Sequence, residues 1–141
     1  MISVIKFARG SIFIIYFWFG FLKIIGVSPA ERLVNHLFEV TLSSFISFKL
    51  FFILFGIYEC TIGLIWLFPK FTKAALYILI AHLILTVAPI FVLPKDTWAD
   101  IFTPTLVGQY IIKNLVLLST ALLINQFNSS KDSNFSSFCN L

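Results

Sequence analysis

Charged residues are scarce in this sequence. Only 11% of its 141 residues are Asp, Glu, Lys or Arg, and 60% are hydrophobic, whereas soluble domains average roughly a quarter charged residues. So few charges cannot cover a water-facing surface, which excludes a soluble globular domain and predicts an integral membrane protein. The net charge of +4 is dispersed, with no basic run longer than two residues, so a nucleic-acid-binding patch is not expected.

Cysteines and catalytic signatures are also scarce. Cys60 lies in a hydrophobic run, Cys139 lies in a polar segment, and neither belongs to a CxxC pair. A disulfide, a zinc site and a dithiol relay are therefore not predicted. The sequence contains no Walker loop, GxGxxG fingerprint, GxSxG elbow or CxxCH haem motif. We expect no bound metal and do not expect a complete enzyme.

Long hydrophobic runs are abundant instead. A helix that crosses a bilayer needs ~20 apolar residues, and four runs of suitable length occupy about residues 10–27, 50–69, 74–94 and 106–124. We predict helices rather than strands, because an open strand in lipid would leave its backbone hydrogen-bonding groups unpaired. Pro89 is expected to kink the third helix near its end.

The predicted fold class is therefore all-α: a polytopic membrane four-helix bundle with a short amphipathic surface helix between helices 1 and 2. Residues 1–127 are predicted to form a single transmembrane domain, and residues 128–141 a mobile polar tail in the cytoplasm. The first run could alternatively be a signal peptide cleaved after VSPA. Lys23, between the run and that site, favours a retained helix.

The positions of Lys and Arg predict the orientation. Lys6 and Arg9 precede the first run, and Lys70 and Lys73 join the second run to the third. On the opposite side, acidic residues balance the basic ones. Both termini are therefore predicted to be cytoplasmic, in a multi-pass protein of the inner membrane.

The loop between the first two runs predicts the surface helix, at about Pro29 to Leu42. Ser28 is the expected N-cap, with Pro29 at the first helical position and Glu31 three residues after the cap. This helix is expected to lie on the outer membrane surface, and its His36 to be solvated. Its apolar face consists of Leu33, Val34, Leu37, Phe38 and Leu42.

Each run carries polar or small residues at helical spacing, which predicts a bundle with a polar interior. The positions are Tyr16, Gly20, Lys23, Gly56, Glu59, Cys60, Gly63, His82, Thr86, Pro89, Gln109, Lys113 and Thr120. Glycines allow a neighbouring backbone to approach closely. The predicted structural glycines are Gly20, Gly56, Gly63 and Gly108.

The charges within the runs raise the main question. A lone charge at mid-membrane costs at least ~2.5–3.5 kcal/mol, and Glu59 is the only carboxylate inside a run. Lys113 is therefore predicted to pair with Glu59, and Lys23 is the alternative or additional cation. A polar pocket is also predicted to open toward the outer leaflet, lined by Lys23, Glu59, His82, Gln109 and Lys113. The candidate ligand or proton site comprises Lys23, Glu59, His82, Gln109, Lys113 and Asn114.

Two roles for this site remain open. Buried ion pairs and polar side chains can simply fix the register of packed helices. The same residues could instead hold a ligand, a proton or a cofactor. For His82 the structural role is the simpler interpretation, because a single histidine without a second His or Cys nearby makes a poor metal site.

Three segments resemble the DoxX-like superfamily of small four-helix bacterial membrane proteins, which includes DoxX and the YkgB-like proteins. The segments are YFWFGFLKIIG, GIYECTIGLIWL and GQYIIKNLVLLSTALLI. The resemblance extends from about Arg9 to Gln126. The matching positions are Arg9, Trp18, Gly20, Lys23, Glu59, Gly63, Gly108 and Lys113.

The resemblance implies a redox- or quinone-associated accessory subunit of the bacterial inner membrane. Members of this superfamily are subunits of quinone-linked oxidoreductases, and others are linked to oxidative stress. A quinone is the implied cofactor, and a respiratory or redox protein is the implied partner beside the lipid bilayer. Two alternatives remain: a carrier or binding protein for a lipid or small amphipathic molecule, and a purely structural accessory subunit.

Overall fold

Four long apolar helices dominate the fold. A computed structural model describes residues 2–139, and the side chains of residues 3–130. The helical segments long and apolar enough to cross a membrane are Ser3–Ile24, Phe48–Trp66, Pro69–Val92 and Leu106–Ser130. The prediction of an all-α, polytopic four-helix protein is therefore confirmed.

Shorter elements connect these helices. The order is α1 (Ile2–Ile24), α2 (Glu31–Thr41), α3 (Phe48–Trp66), α4 (Thr72–Val87), α5 (Pro89–Val92), α6 (Pro94–Thr97), β1 (Trp98–Asp100), β2 (Thr103–Pro104) and α7 (Leu106–Cys139). A 3-10 turn, Pro69–Phe71, precedes α4. The break between α4 and α5 lies at Ala88, directly before Pro89, where an interruption was expected because proline lacks a backbone donor.

Several helix ends differ from the predicted bounds. α1 begins at Ile2 rather than near Gly10, and α7 continues to Cys139 rather than ending near Ile124. Hydropathy marks where a helix can lie in lipid, but polar residues beyond that point can continue the same helix. α3 ends earlier than predicted, because Phe68 is extended, as is common for a residue that precedes proline.

Helices α1 and α3 cross in close contact through glycines. A Cβ on Gly20 would lie 2.5 Å from the Gly56 carbonyl oxygen, and a Cβ on Gly56 would lie 2.7 Å from the Gly20 carbonyl oxygen. A Cβ on Gly63 would lie 3.0 Å from the Phe13 carbonyl oxygen. The predicted close approach of a neighbouring backbone at these glycines is therefore confirmed, and the neighbour of α3 is α1.

The two ends of the bundle differ in structure. Asn128 Nδ2 donates to the Pro69 carbonyl at 3.3 Å, so the far part of α7 lies beside the turn between α3 and α4. Arg9, near the start of α1, contacts Trp66 and Thr72 at the same end. We call this the N-terminal end. The opposite end, which carries α2, α5, α6 and the two strands, is called the loop end.

The apolar core lies between the long helices. It includes Ile12, Ile62, Trp66, Leu79 and Ile124, all nearly inaccessible to solvent. Many large apolar side chains point outward instead, as expected for helices that meet lipid chains. The outward-facing set includes Phe7, Trp18, Tyr77, Ile84, Leu115 and Val116.

The surface helix α2 is present but begins differently from the prediction. It starts at Glu31, and Ala30 at its N-cap makes no side-chain cap. The Ser28 hydroxyl instead accepts a hydrogen bond from the Ala30 amide at 3.3 Å, so the predicted Ser28 cap is wrong. The chain turns once more before the helix forms. Phe38 is buried against Phe48 of α3, with ring centroids 5.6 Å apart.

The loop end also contains two features that were not predicted. β1 and β2 form a short antiparallel hairpin, with Phe102 at its tip in the left-handed region at φ 68°. His36 is not merely solvated, because its Nδ1 lies 2.6 Å from Asp96 Oδ2. This contact joins α2 to α6.

Candidate functional site: a buried polar network

Glu59 on α3 is the centre of a buried polar network. Its Oε2 accepts a hydrogen bond from Lys23 Nζ of α1 at 2.6 Å, and this contact is also an ion pair. Its Oε1 lies 3.1 Å from His82 Nε2 of α4. Each of the three residues is no more than 5% exposed. One carboxylate therefore joins three of the four membrane helices.

The α1–α3 crossing explains how Lys23 reaches Glu59. The Cβ of Lys23 lies 3.0 Å from the position that a Cβ on Gly56 would occupy. The lysine therefore leaves α1 beside Gly56, about one helical turn from Glu59. A lysine stem is long enough to cover that distance along apolar surface. Its Nζ also lies 5.4 Å from the centroid of the Phe55 ring.

The network continues from His82 to Tyr16. The Tyr16 hydroxyl lies 3.3 Å from His82 Nδ1. Because a carboxylate only accepts, Nε2 donates to Glu59 Oε1, while the Tyr16 hydroxyl can either donate to Nδ1 or accept from it. Phe55 stacks on the imidazole with ring centroids 5.4 Å apart. Both ring nitrogens therefore have partners, and Glu59 carries the counter-charge of Lys23.

The structure places Lys113 outside the network. Its side chain is exposed, and its Nζ lies 5.0 Å from the centroid of the Tyr110 ring. Glu59 pairs with Lys23, so the predicted Glu59–Lys113 pair is wrong, and the alternative partner is the actual one. The core face of α7 includes Ile111, and Lys113 lies ~200° around the helix from it. A lysine near a helix end can extend toward the membrane interface instead.

The other predicted residues of α7 are also outside the network. Gln109 is exposed, and its Nε2 donates to the Pro104 carbonyl at 3.5 Å. Asn114 is half-buried and its Nδ2 lies 3.5 Å from Thr86 Oγ1. Gly108 serves the predicted structural role, because a Cβ there would collide with the Thr97 carbonyl oxygen.

The predicted polar pocket is not formed by these residues. Lys23, Glu59 and His82 contact one another directly, and Gln109 and Lys113 lie elsewhere on the outside of the bundle. Cavities occur at the two ends instead. One of about 510 Å³ lies at the loop end beside Ser28 and Arg32. Another of about 400 Å³ lies at the N-terminal end beside Arg9.

Sequence reasoning missed a second buried polar group, at Arg9. Its side chain is 5% exposed, and its two terminal nitrogens donate to the Trp66 carbonyl at 3.1 Å and to Thr72 Oγ1 at 2.7 Å. Thr72 Oγ1 in turn donates to the Pro69 carbonyl at 2.6 Å. Arg9 lies one residue before the predicted start of the first span, where a basic residue is usually interpreted as a topology signal. Its role in packing was therefore not predicted.

The described residues offer no obvious metal site. No group of three or more His, Cys, Asp or Glu side chains comes together among them. Cys60 is a free thiol, and its Sγ lies 3.5 Å from the Phe17 carbonyl oxygen. Its position at the α1–α3 crossing gives it a packing role.

Comparison with known proteins gives no match to a protein-family model, to a curated protein or to a solved structure. The DoxX-like resemblance therefore stays a prediction.

Proposed function

We propose that this chain is an accessory subunit of a redox- or quinone-associated complex of a bacterial inner membrane. In this proposal the network of Lys23, Glu59, His82 and Tyr16 holds the helices in one register and is not a substrate site. The redox association rests on the DoxX-like resemblance alone. The accessory role is supported by the closed geometry of the network.

The observation that carries the accessory role is the position of Glu59, which is buried and lines neither of the cavities at the two ends of the bundle. Both of its carboxylate oxygens have protein partners, on α1 and on α4. Breaking such a buried pair by removing one partner is strongly destabilising, so the network is suited to holding the helices together.

The proposal includes an orientation, with the N-terminal end of the bundle on the cytoplasmic side. That end carries Lys6, Arg9, Lys70 and Lys73, and the sequence has no acidic residue before Glu31. An excess of basic residues in short loops is typical of the cytoplasmic side.

A quinone would meet this chain at the outer surface of the bundle or at a partner protein, because the interior is packed. Apolar and aromatic side chains such as Phe19, Phe21 and Tyr77 are exposed there. Quinone binding would then depend on the assembled complex and not on the isolated chain.

Native mass spectrometry of gently extracted protein tests the proposal. We expect the chain to co-purify with a redox protein, and quinone to be retained by the complex but not by the isolated chain. Stoichiometric quinone or another amphipathic molecule on the isolated chain would favour the carrier alternative. Extraction without any partner or ligand would favour a purely structural membrane protein and would contradict the redox association.

A further inference from the structure

The cavity at the N-terminal end has the chemistry of an anion site. It measures about 400 Å³ and lies between the start of α1, the turn after α3 and the far part of α7. Such a volume is typical of small-molecule sites. Its polar lining residues are Lys6, Arg9 and Asn128, and its apolar ones include Ile5, Leu67 and Phe127.

Arg9 is a buried cation without a counter-charge in the described structure. The hydrogen-bond acceptors that it has are neutral, namely the Trp66 carbonyl and the Thr72 hydroxyl. No carboxylate among the side chains of residues 3–130 pairs with it. A guanidinium has five N–H donors, so donors remain for a ligand. Because an unpaired buried charge is costly, an anion in this cavity would be strongly favoured.

The side chains around the cavity are positively charged, as Arg9 is. Lys6, Lys70 and Lys73 are exposed at this end. No acidic residue precedes Glu31 in the sequence. Basic pockets between membrane helices are known to bind anionic lipid head groups.

We propose that this cavity binds the head group of an anionic phospholipid, with the phosphate between Arg9 and Lys6. The apolar walls favour a lipid over free phosphate, because Ile5, Leu67 and Phe127 would contact glycerol and acyl carbons rather than water. The depth of Arg9 in the membrane also fits. Arg9 lies beside Trp66, the last residue of α3, and lipid phosphates are expected at the level where a membrane helix ends. This site is separate from the Glu59 network.

Lipid-dependent stability of the full chain tests the site. The protein is placed in nanodiscs of phosphatidylcholine with increasing phosphatidylglycerol, and thermal unfolding is followed. Lys6→Gln is the test variant, because Lys6 is exposed, whereas Arg9 is buried and its variants could fail to fold. Lys49→Gln, an exposed lysine at the loop end, is the matched control with the same change of charge.

We expect phosphatidylglycerol to raise the unfolding temperature of the unmodified chain. Lys6→Gln should need about fivefold more of that lipid for half of the effect, and Lys49→Gln should behave like the unmodified chain. Equal stabilisation by both lipids, or equal shifts in the two variants, would overturn the proposal. If inorganic phosphate in detergent raised the unfolding temperature as much as phosphatidylglycerol does, the cavity would be a site for a free anion. That result would also overturn the proposal.

Discussion

The single carboxylate within the membrane spans is shared by a lysine and a histidine from two different helices. Lys23 supplies the charge that Glu59 needs, and His82 occupies its other oxygen at 3.1 Å. Tyr16 then satisfies the far side of the imidazole. Lys113 does not contact Glu59, because its side chain lies on the outside of α7 beside Tyr110.

Removing His82 should cost more stability than removing the Tyr16 hydroxyl. His82→Leu leaves both Glu59 Oε1 and the Tyr16 hydroxyl buried without a partner, and each such group costs about 1–3 kcal/mol. Tyr16→Phe leaves only one such group, His82 Nδ1, and should cost about 1–3 kcal/mol in total. Thermal unfolding of both variants in detergent measures the difference. Equal losses of stability in the two variants, or no loss in His82→Leu, would contradict the role of His82 as the residue that bridges Tyr16 and Glu59.

The sequence predicted the members of this site in part, because the predicted residues of α1, α3 and α4 belong to the network and those of α7 do not. Lys23, Glu59 and His82 were identified because charged and polar residues are rare in apolar runs. Helical spacing alone could not decide whether α1 or α7 turned its lysine toward Glu59. The partner of Glu59 depends on the glycine contact between α1 and α3. That contact is formed by two helices packed together, so the spacing of residues within one helix does not reveal it.

At the scale of elements, the crossing of α1 and α3 is the feature on which the network depends. Gly20 and Gly56 allow the two backbones to meet, and this contact places the Lys23 stem beside α3. In a membrane, where lipid is as apolar as the helices, close packing of this kind is a main source of helix association.

Gly20→Ala should therefore be destabilising, by about 1–3 kcal/mol or more, because the added methyl overpacks a closed contact. Gly10→Ala is the matched control on the same helix, where a Cβ would meet nothing within 4 Å. That variant should gain about 0.5–1 kcal/mol, because alanine is the better helix former. Thermal unfolding of the two variants provides the comparison. A loss at Gly10 as large as that at Gly20 would indicate that the crossing is looser than described.

Hydropathy predicted the existence of all four long helices but not the small elements at the loop end. The hairpin of β1 and β2 turns at Ile101 and Phe102, which lack the Asn-Gly or Asp-Gly signature of a tight hairpin. α7 extends past its apolar segment, because nothing in its sequence breaks a helix there. Local signals were therefore missing for both features.

At the scale of the whole molecule, an even number of spans brings the start of α1 and the far part of α7 to the same end. The cavity at that end is lined by Ile5 of α1 and Phe127 of α7. The basic residues at this end distinguish it from the loop end, where Asp96 and Asp100 lie.

Cysteine labelling in intact cells tests the proposed orientation. In a background of Cys60→Ser and Cys139→Ser, an impermeant maleimide should label Asp100→Cys, in the exposed hairpin, without permeabilisation of the inner membrane. Lys70→Cys, at the N-terminal end, should be labelled only after permeabilisation. The reverse pattern would invert the orientation.

The central claim is that the buried network holds the helices together, and that Glu59 in this network pairs with Lys23 and not with Lys113. Two double-mutant cycles measured by thermal unfolding in detergent test it most directly: Glu59→Gln with Lys23→Met, and Glu59→Gln with Lys113→Met.

Lys23→Met and Glu59→Gln should each cost about 3–5 kcal/mol, because each leaves a buried partner unpaired. Their double variant should lose less than the sum of the single losses, by about 0.5–3 kcal/mol. The losses for Lys113→Met and Glu59→Gln should add to within about 0.5 kcal/mol. Additive losses in the Lys23 cycle, together with coupling in the Lys113 cycle, would contradict the account.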